Sequence, residues 1–252
     1  MTEIRHCSAK QHDDLAAEWD RLAEERHRQI ASGDDISFDH VIAPTILKLF
    51  AGANPSLVLD VGSGTGDFTA RLARVAERVV GLEPSAASVE IARTVCAGLS
   101  NVRFLNRPIE EAKEALGGEA ATAAVATMTL MTTPNLPRFA EALRELLQDG
   151  GKFVAVVTHP CFWPRYWGYE EADWFDYERE IFIEAPFVIS LRRTPHFTTH
   201  IHRPLEQYLT TFADLGFSIE KVVEPMPPAE IEALYPMPWQ FPRFLGLRWV
   251  KG

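Results

Sequence analysis

Three cysteines in 252 residues are too few for a disulfide framework. Cys7, Cys96 and Cys161 are odd in number, widely spaced and form no metal-ligand pattern, so a reducing, cytoplasmic setting is expected. Cations are also short: 25 Lys and Arg stand against 35 Asp and Glu, for a net charge of -10. Binding a phosphate backbone or an anionic membrane surface takes clustered Lys and Arg, so neither partner is expected. The chain lacks any run of about eighteen apolar residues, so no span is expected. Met1 to Arg5 carry no apolar segment of a signal peptide, and none is expected. Repeats and low-complexity tracts are absent. What remains is a chain that is 46% apolar, enough to bury a full core, with a length suited to one large α/β domain or a core with an inserted lid.

The chain is organised around Leu57-Val-Leu-Asp-Val-Gly-Ser-Gly-Thr-Gly-Asp67. Leu57 to Val61 reads as a buried strand, Gly62, Gly64 and Gly66 as a tight turn, and Phe68, Leu72, Val75 and Val79 as a helical stripe. Glycine permits positive φ and lets a ligand approach bare main chain. The next apolar run, Val79 to Leu82, ends in Glu83, about twenty residues after the first glycine. This is the layout of a nucleoside-binding βαβ unit, with the acid placed for ribose hydroxyls. Asp67 fills the third slot of a dinucleotide fingerprint, in the first helical turn, where a pyrophosphate would need to lie. Like charges repel there, so a cationic adenosine ligand without phosphate suits the site better.

Elsewhere strand alternates with helix. Asp13 to Ile30 reads as a helix with Leu15, Trp19, Leu22, Arg26 and Ile30 on one face. It either packs as scaffold or caps the ligand; Trp19, Arg26 and His27 are the residues of interest. A second helix runs from about Phe38 to Phe50, kinked or restarted at Pro44. Helices follow at Ser85 to Gly98, Pro108 to Leu116 and Pro134 to Gln148, the last stopped by Gly150-Gly151. Strands are expected at Asn101 to Leu105, Ala121 to Met128 and Lys152 to Thr158. The alternation argues for a mostly parallel, doubly wound sheet. From Pro160 the composition shifts. Residues Cys161 to Phe187 hold ten of the chain's 26 aromatics, interleaved with acids such as Glu170, Asp173 and Glu178. A lid or substrate insertion over residues 160–203 is expected, with a small satellite core as the plainer alternative. Ser190 to Ile201 reads as extended, Pro204 to Leu215 as helix, Phe217 to Val223 as strand, Ala229 to Tyr235 as a short helix and Phe244 to Val250 as a final strand.

Leu57 to Gly66 with Val80-Gly-Leu-Glu-Pro-Ser85 resembles motif I and the acidic loop of class I S-adenosylmethionine-dependent methyltransferases. Leu146 to Val154 resembles the family's junction into strand five. Thr158-His-Pro-Cys-Phe162, Ile201-His-Arg-Pro-Leu205 and Ala213 to Phe217 resemble a subgroup that mostly modifies small molecules. The resemblance implies one Rossmann-like α/β domain over residues 1–252: a seven-stranded sheet, mostly parallel with an antiparallel last strand, an N-terminal helical cap over 1–50 and the inserted lid. It implies S-adenosylmethionine held by Asp60, Gly62, Ser63, Gly64, Thr65, Gly66, Glu83 and Pro84, with Pro108, Ile109, Thr127 and Met128 farther along the cofactor. Two departures stand out. Pro108 takes the place of an acid that accepts from the adenine amino group, and Thr127 to Thr133 lacks an expected histidine.

The chemistry expected is transfer of a methyl group to an O, N or C atom of a small, partly aromatic or apolar molecule. Asp60 either orients the glycine loop or accepts from the ammonium, and Glu83 offers two oxygens to two ribose hydroxyls. Positioning is the main task, and a general base is optional. His159, at the end of strand five, is the first candidate base and His202 the second, each against a structural role. His196, His200 and His202 share strand parity, but with no nearby Cys and no acid on the end of strand four no metal is expected. A monomer or homodimer is expected. Other readings are a cofactor-binding enzyme of different chemistry, such as a cyclisation, and a non-catalytic subunit whose aromatic segment is an interface. An NAD oxidoreductase comes last because of Asp67.

Overall fold

The computed structural model of the chain describes residues 4–189 and 193–252. The elements are β1 (Arg5–His6), α1 (His12–Ala31), α2 (Ala43–Phe50), β2 (Val58–Val61), α3 (Asp67–Leu72), β3 (Val79–Leu82), α4 (Ala86–Val95), β4 (Val102–Leu105), β5 (Ala121–Thr127), α5 (Leu136–Leu146), β6 (Leu147–Thr158), α6 (Trp163–Trp167), β7 (Ile181–Val188), β8 (Arg193–His202), α7 (Leu205–Ala213), β9 (Phe217–Val223), α8 (Ala229–Glu232) and β10 (Phe244–Lys251). A seven-stranded sheet runs β4-β3-β2-β5-β6-β10-β9. Strands β2 to β6 pair in parallel, while β10 is antiparallel to both β6 and β9. This is the expected Rossmann-like α/β fold with an antiparallel last strand.

The sheet is buried on both faces because its strands are apolar at odd and even positions alike. Leu57, Leu59 and Val61 join one core with Phe139, Leu143, Phe212 and Trp249. Val58, Val125 and Val154 join the other with Ile46, Leu49, Phe68 and Leu72. On the first face Phe153 lies 5.2 Å from Trp249 and 5.3 Å from Phe212, ring centre to ring centre. Clustered aromatic rings contribute beyond their buried area.

Several boundaries moved. A π-helical turn at Phe38–Ile42 runs straight into α2, so the helix passes through Pro44 by widening in the turn before it. Residues 108–116 form two 3-10 turns, Ile109–Glu111 and Glu114–Leu116, in place of one short helix. Helix α5 ends at Leu146, and Leu147 already pairs with Ala121. The two glycines at 150 and 151 therefore sit inside a strand irregularity and do not stop the helix. The last helices are shorter than expected, since Leu205–Ala213 and Ala229–Glu232 are flanked by turns.

The aromatic insertion holds an element the periodicity did not show. β7 and β8 form an antiparallel hairpin, and β1 adds to β7. Residues 190–192 of the expected extended segment lie outside the described residues. Three contacts dock this second sheet. Buried Glu18 of α1 accepts from the Thr199 N–H at 2.7 Å and from its hydroxyl at 2.9 Å, and pairs with Lys10. Buried Arg203 donates to the Leu130 and Thr133 carbonyls, both at 2.7 Å, and pairs with Glu180 at 2.5 Å. Tyr169, Trp174 and Phe175 pack with Ile181 and Ile183 into a satellite core.

Gly66 shows how tightly α3 and α4 approach. It caps α3 with φ 81°, and a Cβ there would lie 2.9 Å from the Cα and Cβ of Ala92. Gly33 has a similar φ of 74° but open space around it. Gly33→Ala should lose about 1 kcal/mol, the backbone term alone, whereas Gly66→Ala should lose about 1–3 kcal/mol more through overpacking. Urea titration compares them; equal losses would mean the helix contact gives way freely.

Candidate functional site

A cavity of about 520 Å³ opens at the carboxyl ends of the parallel strands, where open α/β sheets bind ligands. The loop after β2, the turn after β5 and Thr158 at the end of β6 form its floor. Helix α1 contributes Leu15, Trp19, Arg26 and Ile30, and the β7–β8 sheet contributes Phe187, Thr198 and His200. Of the proposed cofactor residues, Asp60, Gly62, Ser63, Gly64, Thr65, Glu83, Pro84, Pro108, Ile109, Thr127 and Met128 all line it. Gly66 does not; it serves the helix packing described above.

The loop is fixed from both sides. Gly62 has φ 70°, and a Cβ there would sit 2.3 Å from the Thr129 hydroxyl oxygen. That hydroxyl donates to the Val61 carbonyl at 3.0 Å, locking the loop against the turn after β5. Met128, in that turn, takes φ 56°, a conformation rare outside glycine and concentrated at functional positions. Gly64 has φ 53° and open space, and its N–H donates to Glu83 Oε2 at 2.9 Å.

Glu83 therefore has a structural task of its own in holding this loop. Its other oxygen accepts from the Ser85 N–H at 2.8 Å, so each oxygen already holds one backbone donor and keeps a further lone pair. Burial lifts its pKa from 4.5 to about 7, against the pull of those two N–H groups. Asp60 resolves one alternative: Oδ2 accepts from the Thr69 hydroxyl at 2.6 Å, and no loop N–H bonds to it. Its Oδ1 is buried without a partner among the described residues, and burial raises the carboxyl pKa to about 6. Asp67 is tied to the Thr65 hydroxyl at 2.7 Å and to His27 at 3.3 Å, so a carboxylate does occupy the first turn of α3.

Glu110 was not foreseen. It follows Pro108 by two residues, lines the cavity, and pairs through Oε1 with His12 at 3.2 Å. Its Oε2 is buried and unpartnered. The missing acid at Pro108 is thus matched by one displaced into the next 3-10 turn. Two other unpartnered oxygens, Ser63 Oγ and Thr127 Oγ1, also belong to this end of the cavity. Buried polar atoms without partners are costly and rare. A ligand bearing an ammonium, hydroxyls and an amino group would satisfy this set.

The two histidine expectations change. His159 does not line the cavity. One ring nitrogen accepts from the Cys161 N–H at 3.2 Å and the other bonds Glu224 at 2.8 Å, so neither is free to take a proton. The ring closes the turn after β6, with Phe162 packed on it at 4.6 Å. His202 is likewise turned away, bonding the Tyr177 carbonyl at 3.0 Å. His200 is the histidine that reaches the cavity. It lies among Trp163 and Trp167 with no hydrogen bond to the described residues, and burial holds its pKa down near 3. The parity of 196, 200 and 202 was visible, but which of them met a cavity depended on the hairpin. Among the described residues no cluster of three His, Cys, Asp or Glu could hold a metal ion. None of their helices is long and apolar enough to cross a membrane.

Residues 58–151 match the family model described as a methyltransferase domain. No curated protein matches the chain. Among solved structures, an S-adenosylmethionine-dependent methyltransferase from Listeria monocytogenes aligns at 22% identity over 83% of this chain and 98% of its own, with a TM-score of 0.67. DhpI, solved with SAM and HEP, aligns at 20% identity over 96% of this chain and 99% of its own, with a TM-score of 0.65. The 1,6-didemethyltoxoflavin-N1-methyltransferase from Burkholderia thailandensis aligns at 18% identity over 100% and 96%, with a TM-score of 0.61. At these identities the likeness speaks for the fold. The family match adds that residues 58–151 are similar in sequence to a methyltransferase domain.

The raised carboxyl pKa values have a consequence for stability. A carboxyl whose pKa rises on folding stabilises the fold below its unfolded pKa, and that contribution is lost as pH climbs through the folded value. For Glu83 the window runs from 4.5 to about 7. Buried His159, His200 and His202 are lowered and act in the opposite direction, losing stability as pH falls below their ordinary 6.5. Glu83→Gln removes the carboxyl contribution alone. The Tm of the variant relative to wild type should therefore rise as pH goes from about 5 to about 8. A difference flat in pH would mean Glu83 titrates as an ordinary glutamate.

Proposed function

We propose that this chain transfers a methyl group from S-adenosylmethionine to a small, partly aromatic or apolar acceptor held beneath the β7–β8 sheet. Methyl transfer follows from the matched domain and the sulfonium donor from the cradle's chemistry; the acceptor class is the further step. The observation that carries the donor is the set of buried, unpartnered oxygens around the glycine loop: Asp60 Oδ1, Ser63 Oγ and Glu110 Oε2. In this reading Asp60 meets the ammonium, Glu83 the ribose hydroxyls and Glu110 the adenine amino group. When bound, S-adenosylmethionine supplies a methyl carbon already activated by its sulfonium. The protein's part is to align the acceptor, exclude water and hold the nucleophile, an arrangement worth roughly 7–11 kcal/mol.

The aromatic wall supports the acceptor class. Trp19, Trp163, Tyr166, Trp167 and Phe187 all line the cavity, and flat apolar surfaces select for flat or apolar ligands. The small molecule bound to the Burkholderia neighbour is in keeping with this. So is the Thr158–Phe162 stretch of the small-molecule subgroup, with its histidine now given a structural task. We assign the cap to α1 and the lid to residues 160–203, within one domain. Cytoplasmic residence and a small-molecule partner without nucleic acid accord with the net charge of -10. His200 is neutral at physiological pH and too weakly basic to store a proton, so its role is to accept a hydrogen bond that orients the acceptor's nucleophile.

Thermal shift tests the donor. S-adenosylhomocysteine at a hundred times its Kd should add about 2.7 kcal/mol of stability, and Glu83→Ala should remove most of that; a shift by NAD with none by S-adenosylhomocysteine would reverse the reading. His200→Ala should lower turnover roughly 10-fold with cofactor affinity intact. His159→Ala should instead lower stability and spare cofactor affinity. Full turnover in His200→Ala would remove its role.

A further inference from the structure

The polar groups left open in the cavity are sorted by sign. Around the glycine loop every such carboxyl oxygen is an acceptor. At the aromatic end the open groups include, beside the His200 ring, two donors. Trp163 Nε1 is buried without a partner among the described residues, and Trp163 lines the cavity. Arg243 lines it too and is only 8% exposed. It lies just before β10, and its carbonyl accepts from the His159 N–H at 2.9 Å, which seats it at the end of β6. Two arginines line the cavity. Arg26 is paired with Asp35 at 2.6 Å, but Arg243 has no carboxylate partner among the described residues. The acid whose charge it feels, Glu232, is turned to the Trp239 N–H at 2.8 Å.

Aromatic rings hold the guanidinium in place. Its carbon lies 4.0 Å from the Tyr166 ring centre, 4.3 Å from that of Trp239 and 5.4 Å from that of Tyr235. One terminal nitrogen, Nη1, donates to the Tyr166 hydroxyl at 3.1 Å. Nε and Nη2 make no hydrogen bond to the described residues. That pair forms one edge of the guanidinium plane, the edge that meets a carboxylate side-on with two parallel N–H···O bonds. Stacked rings fix the plane but cannot neutralise the charge, and a buried charge without a counter-ion is costly.

We propose that the methyl acceptor is an anion, an aromatic or apolar carboxylate whose two oxygens are received by Nε and Nη2 of Arg243. This rests on the reading of the cavity as a methyl-transfer site. It assigns Arg243 as a substrate-binding, specificity-determining residue, with Trp163 Nε1 a further donor at the same end. The ammonium is drawn to Asp60 and the acceptor's carboxylate to Arg243, so the two ligands enter in a fixed orientation.

Isothermal titration of the S-adenosylhomocysteine-loaded protein tests this with one-ring and two-ring aromatic carboxylates, benzoate and indole-3-carboxylate among them, each against its neutral amide. At least one carboxylate should bind about 30-fold or more tightly than its amide. Arg243→Met should erase that preference, and Arg243→Lys, which keeps the charge but not the paired edge, should retain part of it. S-adenosylhomocysteine binding by each variant reports that it is folded. A panel in which no carboxylate outbinds its amide overturns the proposal, as does a preference that persists in Arg243→Met. Failure of S-adenosylhomocysteine to bind wild type would instead strike the methyl-transfer reading, and the carboxylate preference of the unloaded protein would still be measurable.

Discussion

One buried carboxylate organises the site. Glu83 holds the Gly64 N–H with one oxygen and the Ser85 N–H with the other. It thereby fixes the loop after β2 to the entrance of α4. Ser85 in turn caps α4 through the Ser88 N–H and donates to Asp20 of α1, which also accepts from the Ala87 N–H at 3.0 Å. The glycine loop, the end of β3, α4 and the N-terminal helix are thus linked through two carboxylates. This explains how a loop of bare backbone, which alone would be mobile, presents fixed groups to a ligand. Charge-assisted bonds to backbone N–H groups are among the stronger hydrogen bonds available in a protein.

The insertion after β6 resolves into two parts with different physical tasks. Tyr169, Trp174 and Phe175 are turned away from the cavity and build the satellite core that gives the small sheet its own stability. Trp163, Tyr166, Trp167 and Phe187 face the cavity. The segment's aromatic residues are thus divided between the cavity lining and a small core of their own. Buried Arg203 and Glu18 bind the sheet to the rest of the chain from opposite sides, so the aromatic wall keeps its position relative to the floor.

The cavity also carries an electrical direction. Carboxylates crowd the glycine end, and an arginine with no carboxylate bonded to it among the described residues sits at the aromatic end. Such an arrangement is expensive in the empty protein, as the upward shifts of Asp60 and Glu83 and the downward shift of Arg243 all record. Ligand groups of opposite sign relieve the cost, so the same groups that weaken the fold on their own favour the loaded one.

Much was fixed by local sequence. The β2–loop–α3 unit, Glu83 at the end of β3, the Ser85 cap and the final strands follow from short-range pattern, since glycine spacing, capping residues and apolar runs act over a few residues. Asp67 in the first turn of α3 was equally legible. The β7–β8 pairing was not, because Glu184 and Pro186 broke the alternation of β7 and its partners lie in a separate stretch of the chain. The same hairpin decided which histidine faces the cavity: His200 does, while His159 and His202 spend their nitrogens on Glu224, Cys161 and Tyr177. Glu110 and Arg243 carry no motif at all. Only packing could bring a residue after β4 and one before β10 to the rim of the same cavity, because a side chain's charge is written in the sequence but its counter-charge is a matter of distance in space.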